Sequence, residues 1–255
     1  METSRAKPVL CTITVSHYAE SARWALEAAK VDFEERSGVP GLHMLPGVLP
    51  AKPGTSRKQV PYLLVPGGKD RLDSWSILEY AAECAPELGP VPSARLQELV
   101  DELGVCCRCI AYSELLGDSQ TMGKLASKES RAQRAMWYLL GGVIGRGIYK
   151  QYVRNDEYVA KKMARADELI PLIEQELGMT DGSTHPTELT LSNIATSAIS
   201  YPLVAPPNLF NGAHFAPEFD QVSEAVRTKV GEKYRKTELG KFVVRMYEAQ
   251  RLLSK

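Results

Sequence analysis

A serine between a predicted strand and a predicted helix is the first residue whose position favours chemistry. The strand is predicted over residues 8–15, which are rich in β-branched side chains, and apolar residues at helical spacing predict a helix from about Ala19. Ser16 lies between them, where the free N–H groups of a helix N-terminus favour a bound anion. Its hydroxyl could donate a hydrogen bond to a bound thiolate, or it could simply cap the helix.

A proline that enters a predicted strand marks the second candidate. The segment Gln59-Val60-Pro61 follows a loop and opens a strand predicted over residues 60–65. A cis bond before Pro61 is one way to seat the ring, and it would turn the backbone N–H and C=O of Val60 toward a peptide-like ligand. The alternative is an ordinary strand start.

An acidic residue followed by a serine opens the next predicted helix and forms the third candidate. Ser74 is predicted to be the N-cap residue, and its hydroxyl and the helix N-terminus suit a carboxylate ligand. Asp73 suits an ammonium group, so the pair could hold the zwitterionic end of an α-amino acid. The alternative is that the two residues only cap the helix.

The elements that would position these residues follow the order β-α-β-loop-β-β-α. A second strand is predicted over residues 31–36, an irregular segment rich in proline and glycine over 37–57, and a returning hairpin strand over 69–73. This order predicts an α/β thioredoxin-like domain over residues 1–86. Beyond a proline-rich boundary, helical periodicity predicts an all-α helical bundle over residues 92–255.

The composition argues against several classes of function. The 255 residues carry 31 basic and 31 acidic side chains, so no net charge favours nucleic acid or an anionic membrane. Neither a signal segment nor an apolar run of membrane-spanning length is found, and five cysteines are too few for a disulfide framework, so we expect a cytoplasmic protein. No histidine or cysteine spacing indicates a metal site. Cys106 and Cys107 are expected in the core, and Cys109 at its edge.

The three candidate segments in this order resemble the N-terminal domain of the glutathione transferase family. They read SHYAESARWALEAA, QVPYLL and DSWSIL, and Ser16 precedes Arg23 by seven residues. The first segment is especially similar to bacterial-type members with the pattern SHY-x-x-x-ARWAL. The resemblance covers about residues 9–85 and is only general beyond them.

The resemblance implies a role for each candidate in binding glutathione. Ser16 would hydrogen-bond the sulfur, Gln59 and the Val60 backbone beside a cis Pro61 would hold the cysteinyl part, and Asp73 and Ser74 would bind the γ-glutamyl group. The glycine carboxylate would meet a side chain from the irregular segment, for which His43 and Lys58 are candidates. The electrophile would lie between the Ser16 region and the first helices of the second domain, with the candidates Tyr18, Tyr112 and Trp137; the alternative for each is core packing.

The implied function is a glutathione transferase that joins the glutathione thiolate to a small hydrophobic electrophile, with glutathione as co-substrate and without a metal. The resemblance also implies a homodimer. Alternatives on the same fold are a glutathione-dependent peroxidase or isomerase, and a non-catalytic ligand-binding protein. Many similar members carry cysteine at the position of Ala19, and its absence here disfavours disulfide exchange.

Overall fold

The computed structural model describes residues 6–13, 16–54, 59–116, 126, 129–179, 188–204 and 231–251. Among them, three strands form one mixed sheet: β1 Val9–Ile13, β2 Glu34–Gly38 and β3 Tyr62–Leu64. β1 lies in the centre, parallel to β2 and antiparallel to β3. Two helices accompany the sheet, α1 His17–Ala28 and α2 Ser74–Cys84. The predicted thioredoxin-like plan is thereby confirmed.

Alternation along β1 explains why the sheet is covered on both faces. Leu10 is fully buried against Leu26 of α1 and Ile77 of α2. The next residue, Cys11, is buried on the opposite face with Leu49, which belongs to the irregular segment before β3. In the segment predicted to be irregular, Ser37 and Gly38 still belong to β2, and the other described residues contain only a 3-10 turn, Leu42–Met44.

Two strand predictions in this domain were wrong in detail. β2 begins at Glu34 rather than Val31, because Lys30 in the left-handed region (φ 55°) first turns the chain, and Val31 N–H then donates to Leu26 C=O. The returning hairpin strand is reduced to a bridge between Leu63 and Arg71. The ladder ends there because the Asp70 side chain accepts the hydrogen bond of Val65 N–H at 2.8 Å, which removes the next backbone donor.

The remainder of the described chain is helical, as predicted. The helices are α3 Ala94–Leu115, α4 Arg131–Tyr152, α5 Asp156–Glu176, α6 Leu191–Val204, α7 Glu232–Arg235 and α8 Glu238–Met246. A π-helical turn, Tyr247–Arg251, follows α8. α6 is buried along most of its length and packs against both α1 and α3. None of the described helices combines the length and the hydropathy needed to cross a membrane.

One apolar core runs from α1 into the helical part of the chain, with Trp24 and Ala25 beside Leu103 and Ile199. The division near residues 86–92 therefore stays a prediction. Cys106 and Cys107 lie in this core, as expected. Cys109, expected at the edge, is buried because Val153 at the end of α4 and Val159 near the start of α5 cover it.

Candidate functional site

Ser16 is the N-cap residue of α1, and it lies half-buried at the carboxyl side of β1. Its Oγ accepts a hydrogen bond from Ala19 N–H at 3.2 Å. α1 consequently starts at His17 and not near Ala19 as predicted. The capping alternative is correct, but it leaves the hydroxyl hydrogen without an acceptor among the described residues. One oxygen can accept from the helix and donate to a ligand at the same time.

The Val60–Pro61 peptide bond is cis, as the resemblance implies. Pro61 is buried and Gln59 is exposed, so the chain passes here from the surface into β3. Lys58 lies outside the described residues. His43 belongs to the 3-10 turn after β2, where its Nδ1 accepts a hydrogen bond from Gly41 N–H at 3.1 Å.

The start of α2 differs from the prediction by one residue. Asp73, not Ser74, is the N-cap, because its Oδ1 accepts from Ser76 N–H at 2.8 Å while Ser76 Oγ accepts from Asp73 N–H at 3.2 Å. This reciprocal capping box fixes the exposed Asp73 carboxylate at the helix end. Ser74 becomes the first helical residue and is buried.

Lys52 is a cation of this region that the sequence analysis missed. The residue is buried, with 9% of its surface exposed, and its ammonium donates to Gln59 C=O at 3.0 Å. The ammonium also lies 5.5 Å from the ring centroid of Tyr62. Burial lowers the pKa of Lys52, and the charge of Asp73 opposes that shift, so the two side chains lie within electrostatic reach. Lys52 thus connects the entry of β3 with the start of α2.

Asp101 of α3 is a second residue that the sequence analysis missed. Its Oδ2 accepts a hydrogen bond from Trp75 Nε1 at 2.9 Å, and its backbone carbonyl accepts one from Tyr18 Oη at 3.2 Å. Burial raises the pKa of Asp101, and the negative charge of Asp73 raises it further. Two carboxylates from different parts of the chain therefore share one electrostatic neighbourhood, which suits a bound ammonium group.

The predicted aromatic residues do not form one cluster. Tyr18 packs on the main core and approaches α3 where Gly104 has no side chain, since a Cβ at Gly104 would collide with the Tyr18 hydroxyl. Tyr112 meets Tyr152 edge to face, with ring centroids 5.9 Å apart. Trp137 lies elsewhere, in a cluster with Val39 and Leu42 beside the 3-10 turn. The three residues therefore belong to three different apolar clusters.

Arg23, identified only by its spacing from Ser16, belongs to a buried ion cluster that fixes α1. Its guanidinium lies 2.6 Å from Glu20 and 2.6 Å from Glu35 of β2. Glu20 is also held by Arg251 at 2.8 Å, and Arg251 pairs in addition with Glu27. The cluster joins α1, β2 and the π-helical turn, so the helix that carries Ser16 is held from two sides.

Comparisons with known proteins agree with this architecture. Residues 10–89 match a family model described as "Glutathione S-transferase, N-terminal domain". No curated protein matches the chain.

Two solved structures illustrate the similarity of fold. One is a glutathione transferase family member from Pseudomonas fluorescens, described with two glutathione bound; it has 16% sequence identity and a TM-score of 0.53, over 97% of this chain and 91% of that chain. The other is a glutathione S-transferase from Methylobacterium radiotolerans in complex with glutathione sulfonate; it has 17% identity and a TM-score of 0.50, over 97% of this chain and 93% of that chain. At these identities the similarity concerns the fold.

Proposed function

Because residues 10–89 match the N-terminal domain model of the glutathione S-transferase family, we propose that this protein is a cytoplasmic glutathione transferase of the serine type. The glutathione thiolate attacks an electrophilic carbon of a small hydrophobic molecule. The carbon–sulfur bond forms as the bond to a leaving group breaks and its electron pair departs with that group, without a covalent intermediate on the protein. The observation that carries the proposal is the Ser16 hydroxyl, which caps α1 and keeps its hydrogen for another acceptor.

The energetics of thiolate formation are compatible with this arrangement. Lowering the pKa of a thiol by roughly two units requires about 2.7 kcal/mol of preference for the anion. A hydrogen bond to a charged acceptor contributes about 1.5–3 kcal/mol, and a helix N-terminus about 0.3–1 kcal/mol. Ser16 and the N-terminus of α1 together supply these two contributions at one place.

The charged groups define how the tripeptide would lie. Its ammonium group would meet Asp73 and Asp101, and its γ-glutamyl carboxylate the N-terminus of α2 at Ser74. The cysteinyl part would pair with the backbone of Val60. For the glycine carboxylate, Lys52 is a candidate from the structure, beside His43 and Lys58 from the sequence, because its buried ammonium has a carbonyl but no carboxylate partner among the described residues.

The Asp73 carboxylate is predicted to contribute binding energy rather than chemistry. In Asp73→Asn the amide can still cap α2, so stability should change by less than about 1 kcal/mol while the dissociation constant for glutathione rises roughly tenfold. Isothermal titration calorimetry measures the binding, and urea unfolding the stability. The turnover rate at saturating glutathione should change less than the affinity does.

Asp32→Asn provides the matched control, since Asp32 is an exposed carboxylate paired only with Lys7 among the described residues. If Asp73→Asn binds glutathione as tightly as the wild type, the assigned role of Asp73 is wrong. If the wild type binds glutathione but shows no thiolate absorbance at neutral pH, the protein is a ligand-binding relative rather than a transferase.

We further propose that the protein is a homodimer. α4 exposes a group of large apolar residues, with Tyr138 90%, Leu139 76% and Val143 64% accessible. Contiguous exposed apolar surface of this kind is uncommon on monomeric proteins. Met44, in the 3-10 turn after β2, is exposed as well.

Leu139→Glu is expected to convert the dimer to a monomer in sedimentation-velocity experiments, because it buries a charge in an apolar contact. Leu172→Glu is the control, since Leu172 of α5 is a partly exposed leucine outside this surface. A wild-type protein that sediments as a monomer at micromolar concentration would contradict the proposal.

A further inference from the structure

Arg108 of α3 lies over the ring of Tyr152 and has no role in the mechanism described above. It follows Asp101 by seven residues, about two helical turns or roughly 10 Å along the axis. Asp101, Gly104 and Arg108 therefore share the face of α3 that approaches α1. Asp101 marks the end of this face near Asp73, and Arg108 marks the end near the start of α1.

The surroundings of Arg108 are aromatic. Its guanidinium carbon lies 4.5 Å from the ring centroid of Tyr152, whose ring meets Tyr112 at 5.9 Å. Burial raises the pKa of Tyr112 to about 12, and Arg108 partly opposes that shift, so the phenol is neutral at physiological pH. The two tyrosines thus present flat aromatic surface beside a cation.

His17 bounds the same region from α1, directly after Ser16. Its ring lies 4.4 Å from that of Tyr18, and its Nε2 is buried without a hydrogen-bond partner among the described residues. Burial lowers the pKa of His17 to about 3, the charge of Arg108 lowers it as well, and a backbone hydrogen bond with Gly104 opposes the shift. The imidazole is therefore neutral and does not compete with Arg108 for an anion.

No carboxylate forms an ion pair with Arg108 among the described residues, where its guanidinium lies over the Tyr152 ring. The guanidiniums of two more deeply buried arginines behave differently. Arg23 and Arg251 each contact two carboxylates. A half-buried guanidinium has five N–H donors in a planar fork that fits a carboxylate, and burial without an anion is unfavourable.

We propose that Arg108 binds an anionic group of the electrophilic substrate, and that Tyr112 and Tyr152 contact its ring. The inference rests on the proposed function and narrows its substrate to small aromatic electrophiles that bear a carboxylate or a similar anion. Because His17 directly follows Ser16, such an anion lies near the helix start at which the glutathione sulfur is placed. The ring between them would present its electrophilic carbon to the sulfur.

A chlorodinitrobenzoate with chlorine para to the carboxylate is a suitable probe. Glutathione first loses its thiol proton to solvent, and the sulfur electron pair then forms a bond to the carbon that bears chlorine. The carbon–chlorine bond breaks and its electron pair leaves with chloride. The carboxylate takes no part in the reaction and remains available to Arg108. Its methyl ester undergoes the same substitution without the negative charge.

The test compares kcat/KM for this acid and its methyl ester in the wild type and in Arg108→Gln. Gln is a good helix former, so α3 should persist. For the acid, Arg108→Gln should lower kcat/KM roughly tenfold or more. The change should come mainly from a higher KM, because the interaction with the anion is lost in the ground state and in the transition state alike. For the ester it should change kcat/KM by less than about twofold. Arg108→Lys should retain part of the preference for the acid.

Arg154→Gln is the matched control, since the Arg154 guanidinium also lies over a tyrosine, 4.6 Å from the Tyr158 ring centroid. This variant should leave kcat/KM for both substrates unchanged. Equal effects of Arg108→Gln on kcat/KM for acid and ester, or no effect on either, would overturn the inference. Turnover of the ester by the wild type would still support the proposed transferase function. If the wild type conjugates neither compound, calorimetric titration with dinitrobenzoate tests binding of the anion directly. Binding that is lost in Arg108→Gln supports the anion site, and absence of binding overturns it.

Discussion

Ser16→Ala is expected to abolish the thiolate absorbance of bound glutathione at neutral pH and to lower kcat for conjugation about 100-fold. The physical reason is the loss of one hydroxyl donor to the anion, which should raise the pKa of the bound thiol by roughly two units. Ultraviolet difference spectra as a function of pH measure that pKa directly. Glutathione affinity at low pH, where the thiol is protonated in both proteins, should change little.

The same substitution removes the cap of α1, so its effect on stability must be separated from its effect on chemistry. Loss of the Ser16 cap is expected to cost about 1 kcal/mol in the free energy of unfolding. Ser130→Ala removes the corresponding cap of α4, where Ser130 Oγ accepts from Gln133 N–H at 3.3 Å, and should cost a similar amount without changing the thiol pKa. Ser16→Thr retains a hydroxyl and should retain most of the thiolate. A normal thiolate in Ser16→Ala would disprove the assigned role.

Arg251→Met is expected to lower the free energy of unfolding by about 3 kcal/mol, the largest stability effect that we predict. Arg251 is 6% exposed and faces Glu20 and Glu27 of α1, with its guanidinium 5.5 Å from the Trp24 ring centroid. The cluster contains two guanidiniums, of Arg23 and Arg251, against three carboxylates. Loss of the Arg251 guanidinium would leave one cation among three carboxylates in a poorly hydrated environment. Urea unfolding of the full chain measures the change.

Lys7→Met is the control for Arg251→Met, because it removes an ion pair whose side chains are 57% and 75% exposed. An exposed pair contributes at most about 1 kcal/mol, and salt screens it. The effect of Arg251→Met should therefore exceed that of Lys7→Met and depend less on ionic strength. Equal effects in the two variants would show that the turn after α8 does not hold α1.

The sequence predicted those features that depend on neighbours within a few positions. Ser16 and Asp73 occupy helix starts because their side chains accept a hydrogen bond from the N–H group three residues later. Such a contact depends only on residues that are close in the sequence. Local patterns determine such positions only to within a residue or so. They predict Ser74 as the N-cap of α2, where the structure has Asp73. The prediction of a returning hairpin strand was wrong for a similar reason, since the Asp70 side chain accepts the hydrogen bond of Val65 N–H in place of a backbone carbonyl.

The tertiary structure alone decided which distant side chains share a neighbourhood. Lys52 and Asp101 reach the site from a proline-rich loop and an apolar helix, where no periodic pattern marks them. Arg251 meets Glu20 across 231 positions of the chain. The pairing depends on the packing of α8 on α6 and on the contact of Tyr247, in the π-helical turn, with Trp24 of α1. Local sequence determines backbone conformation through short-range sterics and hydrogen bonds. Burial, charge pairing and the electrostatic setting of Arg108 arise only when the helices pack, because these depend on distances that the chain order does not contain.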